Sequence, residues 1–343
     1  MNNNISKYRN CSIDIYRYIC AIMVIAIHTH PFSDINQNLG FICTQVLTRI
    51  GVPFFFCVAG YFYIQKLETG KPFFPYLKRL ISTYLIWSFV YFFIDFLEWG
   101  YSNPLGFIVN CVLSFTVYGS YYHFWFFPAL IISVSLTTIA FKLKLSKILI
   151  PISIVLYIVG CIGCSYYELG TRIPILGALY QSSYFDTIRR IFFMGFPFFI
   201  SGYITYRIKD KILNKYSNKK LIFFSIAAIA VWLVEIYFVC ILNIENNIVQ
   251  TFALYSLLIL TMLLLIKNPL NKFENLSKRF KVIANFTYYS HPLFIIVLQK
   301  IFLSLFNKSI PETLLFILTT LITLILGLLL SRSQNKIIKK ITY

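Results

Sequence analysis

The sequence predicts an all-α polytopic membrane protein, a bundle of about ten transmembrane helices with both termini in the cytoplasm. Of its 343 residues, 58% are hydrophobic and only 13% are charged, whereas about a quarter of the residues in a soluble domain are charged. Apolar runs of roughly 17–25 residues, the length that crosses a bilayer, recur from one end of the chain to the other. Lys and Arg residues collect in the breaks between alternate runs. These three features favour a multi-pass helical membrane protein over a soluble one.

Ten apolar runs, separated by charged or turn-forming residues, are predicted to span the membrane. They lie near residues 13–31, 39–64, 76–98, 121–143, 147–165, 188–206, 220–242, 249–267, 283–304 and 312–331. A further apolar segment, 105–119, is short for a crossing and carries Asn110, so it is predicted to be an interfacial or re-entrant helix. We interpret the whole chain, residues 1–343, as a single membrane domain.

The basic residues predict the orientation in the membrane. Clusters precede the first span, as Lys7 and Arg9, and follow the second, fourth, sixth, eighth and tenth spans, the last as Lys336, Lys339 and Lys340. Because cytoplasmic loops are enriched in Lys and Arg, these clusters and both termini are predicted to face the cytoplasm of a cell membrane. The excess of 31 Lys and Arg over 12 Asp and Glu is therefore attributed to contact with membrane lipid, and no nucleic-acid partner is expected.

The eight cysteines lie mostly inside apolar runs and show no paired loop spacing, so no disulfide framework is expected. Cys161 and Cys164 form a CxxC motif in an apolar run, without a second CxxC or a histidine partner. We interpret them as small core residues, and we expect no metal site.

The first span contains the densest set of ionisable residues within an apolar run. A charged group in hydrocarbon costs at least about 2.5–3.5 kcal/mol on insertion scales, so such residues are candidates for a functional site. Asp14, Arg17 and His28 fall on one helical face, because 11 residues from Arg17 to His28 return to within about 20° of the starting direction. The arginine and the histidine are then about 16 Å apart along the helix axis. This pattern indicates a polar cavity that leads from the cytoplasmic side towards the outer half of the membrane.

These side chains have two interpretations. An imidazole can accept a proton from a hydroxyl group near neutral pH, and a guanidinium can bind phosphate. Alternatively, His28 hydrogen-bonds to a neighbouring helix and Arg17 extends to the lipid headgroups. His30, predicted at the outer interface, is an alternative base.

Other ionisable residues lie within or beside predicted spans. Arg49, in the middle of span two, is predicted to line the same cavity or to pair with a carboxylate, for which Glu235 in span seven is a candidate; a structural ion pair is the simpler interpretation of both. His123 begins span four within an aromatic segment typical of the outer interface. His291 precedes Pro292 in span nine, where a proline releases a backbone carbonyl and is tolerated only beside protein or water. We therefore predict that His291 lines the cavity.

Together, several of these segments resemble the acyltransferase-3 family of integral membrane acyltransferases. The segments are Asp14 and Arg17 followed by His28, the run from Arg49 to Gly60, HFWFFPAL at 123–130, GFPFFISGY at 195–203, and SHPL at 290–293. The resemblance covers nearly the whole chain, and the order of the motifs is more specific than any single motif. Within the family, the segments PFFF and HFWFFPAL are most similar to the membrane half of the vancomycin-resistance membrane serine racemases.

The resemblance implies transfer of an acyl group, usually acetyl, from a cytoplasmic acyl-CoA to a hydroxyl or amine on a glycan or small-molecule acceptor at the outer face. His28 would be the catalytic histidine. Arg17, Lys78 and Arg79 would face the phosphates of coenzyme A, and Arg49 would belong to the channel wall. The expected partners are thus membrane lipid, an acyl-CoA donor and an acceptor from the cell envelope.

The chain departs from the family pattern after Arg79, where it has Ile81, Ser82 and Thr83 in place of a second arginine and a proline. Neither a hydrolase-like domain nor a racemase domain is expected within these 343 residues. A second interpretation therefore stays open, a transport module that passes serine or another small polar solute. A long pocket for coenzyme A at the cytoplasmic mouth would favour transfer, and a compact site near the midplane would favour transport.

Overall fold

The computed structural model describes residues 10–70, 73–98, 104–241, 248–270, 273–335 and 342. These residues form helices and the turns between them, with no β-strand among them. The predicted all-α fold class is therefore confirmed. The basic residues Lys7, Arg9, Lys336, Lys339 and Lys340 lie outside the described residues.

The α-helices are numbered along the chain. They are α1 (Cys11–Thr29), α2 (Gln37–Phe41), α3 (Gly51–Glu68), α4 (Phe73–Glu98), α5 (Pro104–Leu113), α6 (Phe126–Lys142), α7 (Leu149–Ile162), α8 (Tyr167–Thr171), α9 (Pro174–Tyr180), α10 (Phe185–Ile188), α11 (Phe196–Lys215), α12 (Asn218–Ile241), α13 (Phe252–Lys267), α14 (Glu274–Phe306) and α15 (Glu312–Arg332). Short π-helices lie at Ile42–Val46, Ser114–Tyr118 and Arg189–Gly195, and short 3-10 helices lie at Leu47–Ile50 and Ser146–Ile148. Each predicted span overlaps one of these helices or a run of them.

Seven helical segments of the described chain are long and apolar enough to cross a bilayer. They are Cys11–Thr29, Gln37–Glu68, Phe73–Ile94, Phe185–Lys215, Asn218–Ile241, Leu276–Phe306 and Glu312–Arg332. Three shorter apolar helices, Phe126–Lys142, Ser146–Ile162 and Phe252–Lys267, lie at the predicted fourth, fifth and eighth spans. The chain is therefore a multi-pass membrane protein, whereas the number of crossings and the orientation of the termini stay predictions.

The second predicted span, 39–64, is a chain of helical segments rather than one regular helix. A π-helix, Ile42–Val46, and a 3-10 helix, Leu47–Ile50, separate α2 from α3. Pro53 lies in the first turn of α3, a position at which proline is tolerated. The break places Arg49 in the last turn of the 3-10 helix.

Local signals set the ends of α1. The Asn10 side chain accepts a hydrogen bond from the Ile13 backbone N–H (3.2 Å) and caps the first turn. At the other end His30 adopts the left-handed conformation (φ 51°), and its N–H donates to the Ala26 carbonyl. The helix therefore ends at Thr29, and His30 lies just beyond it.

The described chain forms two compact units. The first comprises Met1–Phe55, Lys209–Val231 and Ser256–Tyr343. Within it, α1 packs along α14, and α14 packs along α15. A Cβ atom on Gly327 of α15 would lie 3.2 Å from the Ile283 Cα of α14, so this glycine allows the two helices to approach closely.

The second unit comprises Phe56–Ile208 and Trp232–Tyr255. In it, α3 and α11 cross at two glycines. A Cβ atom on Gly60 would lie 1.9 Å from the Phe199 carbonyl oxygen, and one on Gly202 would lie 2.0 Å from the Cys57 carbonyl oxygen. Since neither position has room for a side chain, the crossing requires glycine on both helices.

The helices differ in how much of their surface is exposed. Residues 196–203 of α11 are all buried, as expected for a helix that is apolar on every side and packed within protein. On α12 the large apolar residues Phe223, Ile226 and Tyr237 are exposed, as are Ile325 and Leu329 on α15. In a multi-pass membrane protein such surfaces face the lipid.

Candidate active site

The polar residues of the first span lie along a contact between two parallel helices. The Ser277 hydroxyl of α14 donates to Asp14 Oδ2 of α1 (2.7 Å). Fourteen residues further on each helix, the imidazole rings of His28 and His291 stack, with centroids 5.3 Å apart and an angle of 21° between their planes. In each pair the two residues are 263 positions apart in the sequence. The two helices therefore run in the same direction and keep the same alignment along the contact. We call the set formed by Asp14, Arg17 and His28 of α1 with Ser277 and His291 of α14 the α1–α14 seam.

An ion pair lies at the N-terminal end of the seam. Arg17 Nη1 donates to Asp14 Oδ1 (2.9 Å). The Asp14 side chain is only 4% exposed and that of Arg17 16%. A buried carboxylate is costly unless it is paired and hydrogen-bonded, and Arg17 and Ser277 supply both interactions. The predicted shared face of Asp14 and Arg17 is therefore present as a direct contact.

His28 lies in the last turn of α1 and is partly buried, whereas His30 is exposed at the helix end. Because α1 is a regular helix from Cys11 to Thr29, Arg17 and His28 lie on one face, about 16 Å apart along the axis. Of the two candidate bases, His28 is the one that lies on the seam. Its catalytic role stays a prediction.

His291 is fully buried within α14. Its Nδ1 atom hydrogen-bonds to the backbone carbonyls of Thr287 (3.1 Å) and Tyr288 (2.9 Å). The next residue, Pro292, has no N–H, and the carbonyl four residues before it is that of Tyr288. The carbonyl that the proline was predicted to release therefore accepts a hydrogen bond from His291.

Arg49 belongs to the same unit as the seam. It lies in the 3-10 helix that packs against α1, and its Nε donates to the Gln45 carbonyl (3.3 Å). This hydrogen bond joins the Nε atom to the backbone one turn earlier. A place in the channel wall stays a prediction.

The predicted basic pair of the donor site lies in the second unit, on the first turns of α4. Lys78 is exposed and Arg79 is partly buried. The hydroxyls of Ser82 (3.0 Å) and Thr83 (3.1 Å) both donate to the Arg79 carbonyl. Where the chain departs from the family pattern, these two hydroxyls thus bond to their own helix.

His123 also lies in the second unit and is almost fully buried. The helix of the fourth predicted span begins at Phe126 rather than near residue 121, so His123 occupies the turn before the helix. Its ring contacts those of Tyr91 (5.3 Å between centroids), Tyr122 (5.5 Å) and Phe124 (3.9 Å). The predicted aromatic setting is present, packed around the histidine.

Glu235 of α12 caps another helix. Its carboxylate accepts hydrogen bonds from the backbone N–H groups of Phe252 (2.7 Å) and Ala253 (2.8 Å), which begin α13, and from the Tyr166 hydroxyl (2.8 Å). A carboxylate is favoured at a helix N-terminus. Burial, together with Glu235, raises the pKa of Tyr166, so the phenol stays protonated as a donor. These three hydrogen bonds agree with the structural interpretation of Glu235. Its pairing with Arg49 stays a prediction.

Two features of the seam are not evident from residue type alone: the contact of Ser277 with Asp14 and the stacking of His28 on His291. A signal was present in the spacing. Asp14 and His28 are 14 residues apart, as are Ser277 and His291, and 14 residues are two heptads of a side-by-side helix pair. Within the part of the chain that the structure describes, no three His, Cys, Asp or Glu residues group as a metal site would require.

The fold and the seam define a class of protein, a multi-pass helical membrane protein with ionisable side chains set inside its apolar helices. Residues 10–332 match the acyltransferase-3 family, described as an acyltransferase domain. The chain belongs to this family, and the resemblance predicted from its motifs is confirmed.

Curated relatives carry racemase names. Over 344 residues the chain is 29% identical to an amino-acid racemase of Enterococcus faecalis, with 96% of this chain and 47% of the relative covered. Over 176 residues it is 30% identical to a serine/alanine racemase of Enterococcus gallinarum, with 49% of this chain and 25% of the relative covered. The chain thus spans about half the length of the first of these relatives. No solved structure matches it.

Proposed function

We propose that this protein is a membrane acyltransferase that moves an acyl group, acetyl in the first instance, from a cytoplasmic acyl-CoA to a hydroxyl or amine of an acceptor. The acceptor class is a cell-envelope glycan or a small molecule. The observation that carries the proposal is the match of residues 10–332 to the acyltransferase family. The position of His28, on the seam inside an apolar helix, supports its assignment as the base.

The proposed reaction needs one base and no metal ligand from the protein. His28 accepts the proton of the acceptor hydroxyl, and the oxygen attacks the thioester carbonyl carbon. The carbon–sulfur bond then breaks as the new carbon–oxygen bond forms. The leaving thiolate takes a proton from the imidazolium, which restores neutral His28 and yields an ester and free coenzyme A.

Arg17 is proposed to bind phosphate of the donor, and the roles of Lys78 and Arg79 of the second unit as donor ligands stay predictions. Guanidinium groups match phosphate geometry, and the exposed ammonium of Lys78 is a suitable point charge. In the proposed orientation, with both termini in the cytoplasm of the cell, Arg17 lies at the cytoplasmic end of α1 and His28 near its outer end. The donor would then extend along α1 from phosphate to thioester.

A transport module is the second candidate. It is compatible with the racemase names of the curated relatives, and this chain spans about half the length of the first of them. The same seam would then lie beside a path for serine or another small polar solute, and His28 would contact the solute instead of a thioester.

The two candidates make opposite predictions for purified protein in lipid vesicles. A transferase consumes acetyl-CoA when an acceptor is present, and His28→Ala lowers the rate by about 10²–10⁴-fold, the usual contribution of a positioned base. The measurement is release of free thiol, with folding of each variant checked by thermal unfolding. His30→Ala is the matched control and is expected to retain the parent rate, because His30 lies beyond the helix.

Vesicles loaded with radiolabelled serine report on the alternative in the same preparation. Thiol release that persists at the parent rate in His28→Ala would remove the histidine from the reaction. Serine movement by a parent protein that never consumes the thioester would replace the transferase proposal with transport.

A further inference from the structure

Pro292 leaves a backbone carbonyl of α14 available to the neighbouring histidine. In a regular helix the N–H of residue 292 would bond to the carbonyl of residue 288, and a proline cannot make that bond. In this structure, His291 Nδ1 lies 2.9 Å from the Tyr288 carbonyl oxygen and 3.1 Å from that of Thr287. A carbonyl oxygen only accepts, so Nδ1 carries the hydrogen, and in the neutral ring Nε2 carries the lone pair.

The hydrogen bonds also fix the plane of the ring. His291 is 0% exposed and bonded through Nδ1 to its own helix, so its ring cannot turn without losing a buried hydrogen bond. The His28 ring stacks on it at 21°. His28 is less buried and lies in the last turn of its helix. The fixed ring of His291 therefore limits the orientations open to the His28 ring stacked on it.

We propose that His291 is a positioning residue for His28, held in one orientation by the carbonyl that Pro292 releases. The inference rests on the proposed acyl transfer by His28. A catalytic base must lie within hydrogen-bond distance of the acceptor hydroxyl and point towards it. Misplacement by about 1 Å can lower the rate by about 10²-fold.

Variants of His291 separate the ring from the hydrogen bond. His291→Phe keeps a flat ring for His28 but loses the Nδ1 donor, whereas His291→Asn keeps a donor near the carbonyl but loses the ring. His291→Ala, which loses both, is expected to lower kcat by about 10–100-fold with the KM for acetyl-CoA unchanged. His291→Phe should recover part of that loss and His291→Asn should not.

Pro292→Ala tests the origin of the constraint while keeping both histidines. The restored N–H competes with His291 for the Tyr288 carbonyl, so kcat is expected to fall by less than in His291→Ala, again without a change in KM. Pro151→Ala is the matched control, because Pro151 is exposed in the first turn of α7, and it should retain the parent kcat.

Ring-nitrogen NMR of ¹⁵N-histidine-labelled protein gives a readout that does not depend on activity. The parent is expected to show His291 with hydrogen on Nδ1, and Pro292→Ala is expected to lose that preference. Hydrogen on Nε2 in the parent would overturn the inference even if His291→Ala failed to fold. An active parent, an inactive His28→Ala and an unchanged, folded His291→Ala would overturn this inference alone, whereas a parent without any transfer would overturn the proposed function and this inference with it.

Discussion

Asp14 makes the proposed role of Arg17 testable. A carboxylate 2.9 Å from the guanidinium offsets its positive charge, and a phosphate that approaches Arg17 is repelled by Asp14 at the same time. If Arg17 binds the donor, Asp14 therefore weakens donor binding while it stabilises the buried guanidinium. If the pair is structural, Asp14 affects only the stability of the protein.

Asp14→Asn is expected to lower the KM for acyl-CoA by about 2–5-fold, the range that corresponds to an ion-pair term of up to about 1 kcal/mol. Asparagine has the same shape and can still accept from Ser277. Steady-state kinetics of thiol release measure the change. Arg17→Gln is the companion variant and should raise the KM. An unchanged KM in both variants would assign the pair to structure rather than to the donor.

At the level of residues, the ionisable members of the seam could be predicted from the sequence, because ionisable side chains are rare within apolar helices. Asp14, Arg17 and His28 stand out because each is costly in an apolar run. Ser277 does not, because a serine can satisfy its hydroxyl within its own helix and gives no sign of a distant partner. The stacking of His28 on His291 depends on how α1 and α14 align along each other, and the residues that meet are 263 positions apart in the sequence. In a single sequence, the only sign of this alignment is the equal spacing of 14 residues within each helix.

At the level of helices, the crossing of α3 and α11 gives the sharpest prediction of stability. Gly202→Ala places a methyl group 2.0 Å from a backbone carbonyl oxygen, which only movement of a helix can relieve. We expect a loss of about 3 kcal/mol or more, at the upper end for overpacking, and a lower temperature of thermal unfolding in detergent.

Gly327→Ala provides the graded comparison. Its methyl group would approach Ile283 only to 3.2 Å, which a shift of a few tenths of an ångström relieves, so the expected loss is below about 1 kcal/mol. Equal unfolding temperatures for the two variants would contradict the close crossing at Gly202.

The helices themselves were predictable because a chain in hydrocarbon must satisfy its backbone hydrogen bonds within each segment. Apolar length therefore located them well. The breaks inside them were not predictable from hydropathy. The π and 3-10 segments before α3 contain the polar residues Thr44, Gln45, Thr48 and Arg49, and polarity alone does not distinguish these helix types from an α-helix. The late start of α6 likewise reflects the packing of the His123 turn among aromatic rings.

At the level of the whole molecule, the predicted orientation places Leu169 and Lys308 outside the cell and Lys211 inside. All three side chains are exposed. Single cysteines at these positions, in a variant without the native cysteines, are expected to react with a membrane-impermeant maleimide at 169 and 308 in intact cells, and at 211 only after permeabilisation. Labelling at 211 in intact cells would invert the orientation.

The parallel register of α1 and α14 imposes a parity rule on the path of the chain. Two helices that run in the same direction through a bilayer enter from the same side, so an odd number of crossings must separate them. Seven predicted spans lie between the first and the ninth, which satisfies the rule. If α5 were an additional crossing, eight would lie between them, and Asp14 could not face Ser277 while His28 faces His291. If the seven predicted spans between them all cross the membrane, these two contacts predict that α5 leaves the membrane on the side from which it entered, a prediction that does not depend on where any charge lies.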